Sequence, residues 1–392
     1  MPPRSLLDLP DEILEEVICY AIGKLHRSSN TLEDNRRYYP TPESHYRRRG
    51  IEREWTFYKP WIIPSTAALL LSSRRLSILT TRILFLRAVF YIRDNDSLET
   101  FLDPQWQGDK RLESVRNMDV GIYPHSKFGW ASDEESVDIE YHVQRGVSLL
   151  GHLPTGLRCL SLQPQPLSER VDVVRKHSNQ LVAALKRLSS LQQLTLFFGW
   201  AILDLGIFCS AAPSFVDWGI DLDIEVPSSP MFPNLRRLKL SGCLAATVRS
   251  VHLEKALSTE HLPSLERFIV QDLFFETEGI PEKERAFSPN AILAMRPLVQ
   301  FGWHVRVPSS SNYFQTDRIP PPPTTAHLAA LHDRHGGTLQ DVQISYIWCK
   351  RPPGSLEVDI TEEFIKPWIA GMPELRYASI DTPGVCFVQG QR

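Results

Sequence analysis

Between residues 11 and 22 apolar side chains fall at Ile13, Leu14, Val17, Ile18, Ala21 and Ile22, while Asp11, Glu12, Glu15 and Glu16 take the intervening positions. This spacing gathers the apolar set on one face of a 3.6-residue period and predicts an amphipathic helix. Pro10 suits the first helical position, with Asp8 or Leu9 just before it, and the acids of the first turn complement the positive end of the helix dipole. The default expectation for such a stripe is burial against its own domain.

Further along, the pattern changes from a helical period to a short, recurring frame. Leu-x-x-Leu-x-Leu stands at Leu157/Leu160/Leu162, Leu191/Leu194/Leu196 and Leu235/Leu238/Leu240. Looser copies stand at Leu265/Phe268/Val270, Leu339/Val342/Ile344 and Leu375/Ala378/Ile380. Four copies follow an apolar residue and a proline: Leu153-Pro154, Phe232-Pro233, Leu262-Pro263 and Met372-Pro373. First leucines are 30 to 44 residues apart except for one gap of 74, so a degenerate copy is expected near Leu298/Phe301/Trp303. An earlier one is expected at Val115/Met118/Val120.

Alternate residues of a strand face opposite sides, so the second and third frame positions enter a core while the residues between them line the other face. Each copy buries its apolar side only by stacking on a neighbour. Helical returns are expected where Val174, Leu181, Leu185 and Leu188 share a face, and likewise at Leu253/Leu257, Leu328/Leu331 and Phe364/Trp368, with Pro367 interrupting the last. The sequence thus predicts an α/β chain in which one parallel strand and one return form each unit, a pattern similar to leucine-rich repeats. Phe215–Val226 reads as an extra strand or hairpin arm, Ser126–Ser136 as a polar loop, and Pro320–Pro323 as a stiff spacer between units.

Composition narrows the classes. The chain has 392 residues, 42% hydrophobic and 23% charged, which is ordinary globular usage rather than that of a disordered tail. With 43 basic and 46 acidic residues the net charge is −3, so no overall field draws the chain to nucleic acid or an anionic membrane. The six cysteines are widely spaced and suit reduced thiols in a cytoplasmic or nuclear setting. No apolar run approaches the ~20 residues of a membrane span.

The motifs of dinucleotide, phosphate-loop, zinc-protease and serine-hydrolase chemistry are absent, so no catalytic residue and no cofactor are expected. His327, His332 and His335 cluster, but without further ligands at metal spacing they are read as solvated side chains and no metal site is expected. Asn95-Asp96-Ser97 matches a glycosylation acceptor that an intracellular chain would leave unused.

Leu9-Pro10-Asp11-Glu12-Ile13-Leu14-Glu15-Glu16-Val17-Ile18 resembles the opening of an F-box, a small three-helix module. The stretch Leu69–Leu79, with Arg74 and Arg75, and the trailing Thr81–Phe90 are similar to the second part of that family's motif. The connection between them, about 21–68, is much longer than the family's and is rich in Arg, Tyr, Asn and Pro, including Arg47-Arg48-Arg49, which reads as a solvated loop. Its end, Trp55–Trp61, is expected to anchor back on the body. The domain division that follows is an F-box-like helical module over 1–92 and an irregular leucine-rich-repeat-like domain over 93–392, with strands on a concave side and helices on a convex one.

The resemblance implies a substrate-recognition subunit of a cullin-RING ubiquitin ligase, in which the module docks on a Skp-type adaptor, and through it a cullin, while the repeat body holds a protein target. Carried over position by position, the adaptor contacts include Leu9, Pro10, Ile13, Leu14, Val17, Ile18, Leu70, Leu71, Arg74 and Leu76. The alternative is a structural or scaffolding repeat protein with a degenerate F-box, a reading the long insertion favours. For the target, strand register places Arg237 and Lys239 beside Arg267 and Ile269 on the open face, a cationic strip suited to an acidic or phosphorylated segment. The bland alternative is that these side chains splay into water or pair with Glu266 and other local acids.

Overall fold

The computed structural model describes residues 6–22, 64–87, 89–92, 95–107, 110–121, 148–163, 186–198, 232–244, 256–275, 287–307, 322–348, 360–382 and 385–390, with isolated positions at 144, 180, 183, 184, 230, 253 and 254. Most of the 21–68 insertion lies outside them, as do Arg47–Arg49, Trp55–Trp61, Ser126–Ser136, Val174, Leu181, Leu185 and Phe215–Val226. The chain divides into two compact units, 1–90 with 108–117, and 91–107 with 118–392.

In the first unit, helices α1 (Asp11–Ile22), α2 (Pro64–Ser72) and α3 (Arg74–Arg87) are joined by a short 3-10 turn at Lys110–Ser114. Pro10 stands one place earlier than its sequence suggests: its carbonyl accepts the N–H of Leu14 at 3.0 Å, the first intrahelical bond, which makes it the cap residue. Leu14, Ile18, Leu76, Leu79 and Ile83 form the interior, with Leu9, Cys19, Leu69 and Leu84 packed around them. Each fully buried Leu or Ile contributes about 1.5–3 kcal/mol, so this small cluster is what holds the helices together.

The predicted stripe on α1 splits. Leu14 and Ile18 are 0% and 1% exposed, whereas Ile13 and Val17 are 43% and 37% exposed. Each of the latter sits about 100° around the helix from its buried neighbour.

The second unit holds β3 to β10, with residues 91–92 of β1 and 118–121 of β2, in a sheet whose strands follow chain order from β1 to β10. They are β1 (Val89–Ile92), β2 (Asn117–Gly121), β3 (Cys159–Gln163), β4 (Gln193–Phe198), β5 (Arg237–Leu244), β6 (Arg267–Phe275), β7 (Gln300–Val307), β8 (Asp341–Trp348), β9 (Tyr377–Thr382) and β10 (Val385–Gly390). From β3 to β9 every neighbouring pair is parallel, and β10 turns back antiparallel on β9. The chain is therefore a mixed α/β protein with a mostly parallel sheet, and both degenerate frames, at Met118 and Phe301, are strands.

Register explains the frame. Leu160, Leu194, Leu238, Phe268, Phe301, Val342 and Ala378 form one row across seven strands, each at most 1% exposed. Leu240, Val270, Trp303, Ile344 and Ile380 continue the next row and are buried, while Leu162 is half-buried. The backbone ahead of each strand repeats too. One carbonyl, of Arg158, Gln192, Arg236, Glu266, Val299 or Gln340, accepts two successive N–H groups from the following segment at 2.8–3.2 Å.

The prolyl prefix has a local cause as well. In Phe232–Leu235, Leu262–Leu265 and Met372–Leu375 the last N–H bonds the first carbonyl at 3.2–3.3 Å, with proline second, where its fixed φ suits the turn. The turn delivers the chain into the strand at the first frame leucine.

Helices α4 (Asn95–Leu102), α5 (Pro104–Gln107), α6 (Pro289–Ala294), α7 (Thr325–His335) and α8 (Glu362–Ala370) also belong to this unit. Leu253, Leu257, Leu328, Leu331 and Trp368 are buried as their spacing predicts. Pro322 and Pro323 are buried ahead of α7. Pro367 does not interrupt α8, which runs on to Ala370; the proline is exposed, while Trp368 beside it is buried and donates to the Leu328 carbonyl at 2.6 Å.

The histidine expectation is overturned, because His327 and His335 are 7% and 1% exposed and only His332 reaches solvent. His335 Nδ1 accepts the N–H of Leu298 at 3.1 Å, which fixes the proton on Nε2, 3.1 Å from the Ile292 carbonyl. His327 repeats the device: Nδ1 accepts from Thr324 N–H at 3.1 Å and Nε2 donates to the Phe287 carbonyl at 2.7 Å. Both rings satisfy backbone groups that would otherwise be buried unpaired between consecutive segments.

Candidate functional site

On the helical unit, the resemblance-derived positions separate by burial. Leu14, Ile18 and Leu76 are interior, so they shape the module and offer no surface to a partner. Leu9 and Leu70 are half-buried, and Pro10, Ile13, Val17, Leu71 and Arg74 are exposed, Leu71 to 86%. The structure thus keeps five of these side chains on the surface.

The helix start is held by a residue the sequence reading did not single out. Arg75 donates through Nε to Asp11 Oδ1 at 2.9 Å and through a terminal nitrogen to the Leu9 carbonyl at 2.8 Å, and it also bonds the Leu7 carbonyl. Further along, Arg82 pairs with Glu15 at 3.3 Å. Asp11 and Glu15 are one turn apart on one flank of α1, and Ile13 and Val17, two residues after Asp11 and Glu15 respectively, lie on the opposite flank. Ile78, between Arg75 and Arg82 on α3, is 58% exposed, and Leu7 is 40% exposed. The signal for this ion-paired seam was the four-residue step Asp11/Glu15 matched by the seven-residue step Arg75/Arg82.

On the sheet, side chains between the buried rows line the other face. Arg237 and Arg267 are register partners, as are Lys239 and Ile269, and all four are half-buried. Parallel strands lie about 4.8 Å apart, so the two guanidinium stems run side by side. Glu266, beside the strip, pairs with Arg236 at 3.7 Å. Two strands away Asp341 is held by amides, accepting from Gln300 at 3.2 Å and from Gln343 at 3.2 and 3.3 Å.

Cys159 is in the same row as Arg237, separated from it by Gln193. Burial pushes its thiol up to about 11, with Arg237 and Arg158 pulling partly in the other direction, so the sulfur is protonated and a poor nucleophile at neutral pH. Among the described residues no group of three or more His, Cys, Asp or Glu could hold a metal ion, and no helix is long and apolar enough to cross a membrane.

No protein-family model, curated protein or solved structure matches this chain.

Proposed function

We propose that the chain is the substrate-recognition subunit of a cullin-RING ubiquitin ligase, with the helical unit docking on a Skp-type adaptor and the region 93–392 acting as an irregular leucine-rich-repeat-like solenoid that holds a protein target. In this reading the strands form the concave side and the returns the convex one.

The observation that carries it is the split of the F-box-like stripe. Leu14 and Ile18 are spent on the module's interior, and Ile13, Val17 and Leu71 remain outside as apolar anchors. Exposed apolar side chains on rigid helices are the usual carriers of groove-type affinity. The target surface in this reading is the strip of Arg237, Lys239 and Arg267, with an acidic or phosphorylated segment as its ligand.

The test is co-purification of the full chain from its own cells, with mass spectrometry of what it carries. A Skp-type adaptor and a cullin at near-stoichiometric yield support the proposal. Their absence from a folded preparation would turn the reading to the scaffolding alternative.

A further inference from the structure

β10 is an outer strand of the sheet among the described residues. β10 reads Val385-Cys386-Phe387-Val388-Gln389-Gly390, without a charge or a proline, and pairs with β9 through six consecutive residues without a bulge. Among the described residues no strand lies on its other side. A straight, uncharged outer edge offers a row of N–H and C=O groups to any extended chain, which soluble proteins ordinarily block with lysine, proline or a bulge. Among the described residues of β10 none of those devices is present.

Its side chains add a second observation. By register Val385, Phe387 and Gln389 stand opposite Thr382, Ile380 and Ala378, so they share the buried face of the sheet. Thr382, Ile380 and Ala378 are 4%, 0% and 1% exposed, yet Val385 and Phe387 are only half-buried and Gln389 is exposed. On the other face Val388 is 64% exposed. Among the described residues the core layer ends at β10, whose core-facing Val385 and Phe387 are only half covered.

We propose that β10 pairs antiparallel with β10 of a second copy of this chain, making one continuous sheet across a two-fold axis. A two-fold perpendicular to the sheet keeps each face on its own side, so Val385 and Phe387 of one copy meet the same apolar residues of the other. A lone peptide strand would satisfy the edge hydrogen bonds but leave its own core-facing side chains uncovered. The second copy brings a strand already backed by its own buried rows. It also brings no charge to oppose β10, and the two-fold restricts the register to pairings that keep Val385 and Phe387 of both copies on one face.

The proposal is independent of any ligase role. Its test is sedimentation equilibrium of the full chain from 1 to 100 μM, alongside a Cys386→Lys/Val388→Lys variant. Both positions are exposed, so the variant should fold, checked by an unchanged circular dichroism spectrum and melting temperature. The wild type should approach twice the 44.8 kDa chain mass, and the dilysine variant should remain at one chain with a dimer dissociation constant raised at least tenfold. Amide exchange over 385–390 should slow with concentration in the wild type only. A wild type that stays monomeric, or a dilysine variant that dimerises equally well, would overturn it.

Discussion

The N–H of Leu298 ends on the ring of His335, 37 residues later in the chain, at 3.1 Å, and the same ring returns a proton to Ile292. A connector of this kind works only while the imidazole is neutral. Burial holds His335 at about 4, below its ordinary 6.5. Between those values the unfolded chain binds a proton that the folded chain does not, so stability is complete above about pH 6.5 and falls as pH drops toward 4. The loss should reach on the order of 3 kcal/mol. Urea unfolding of wild type and His335→Gln at pH 7.5 and 5 checks this: the variant is weaker at pH 7.5 and shows a smaller pH dependence. Equal slopes in the two proteins would remove His335 as the cause.

Phe268 and Leu238 are register partners in the buried row, at 0% and 1% exposed. Replacing either with Ala should cost about 3–5 kcal/mol, because the cavity adds to the lost transfer energy. Leu71→Ala, at an 86% exposed position, should stay within about 0.5 kcal/mol. Chemical denaturation distinguishes them, and a Leu71 variant as damaging as the core ones would mean that the burial pattern is misread.

Arg75 supports three acceptors at the start of α1 through a planar fork that an ammonium cannot reproduce. The pair with Asp11 is exposed, so the effect is local: Arg75→Lys should loosen residues 6–22 by about 0.5–1 kcal/mol. Hydrogen exchange reads it directly, with faster exchange near Leu14 and no change in β3–β9.

The strip on the sheet predicts opposite signs for stability and capture. Arg267→Glu places an acid beside Arg237 and should stabilise the sheet by about 0.2–1 kcal/mol, since like charges on adjacent strands repel. The same change should weaken capture of an acidic target at least tenfold. Melting curves and a binding titration on one preparation measure both, and unaltered capture would move the target site elsewhere.

Much of the sheet was legible because the period-2 alternation and its prolyl turn repeat as one local unit, so even the degenerate frames at Met118 and Phe301 could be placed. The strip register of Arg237 on Arg267 followed from the same frame. The two histidines were misread, although His327, Leu331 and His335 stand four residues apart on a single helical face. The polarity of the imidazoles hides that periodicity, and the backbone carbonyls their rings serve belong to residues some 40 positions away. β10 was not legible because Val385-Cys386-Phe387-Val388 is an unbroken apolar run without the alternation that marks the other strands, although Pro383-Gly384 is a turn signal in the sequence just before it. On α1 the stripe was legible but not its division into inner and outer halves, which depends on where α3 lies.

That division is where the functional account is most exposed to test. Purified full chain should bind a purified Skp-type adaptor in isothermal titration, and Ile13→Asp/Val17→Asp should reduce the affinity at least a hundredfold while the helical unit keeps its melting transition, because both positions are already open to water. Wild type that does not bind, or a double variant that binds as tightly as wild type, would contradict the proposed docking of this module on the ligase.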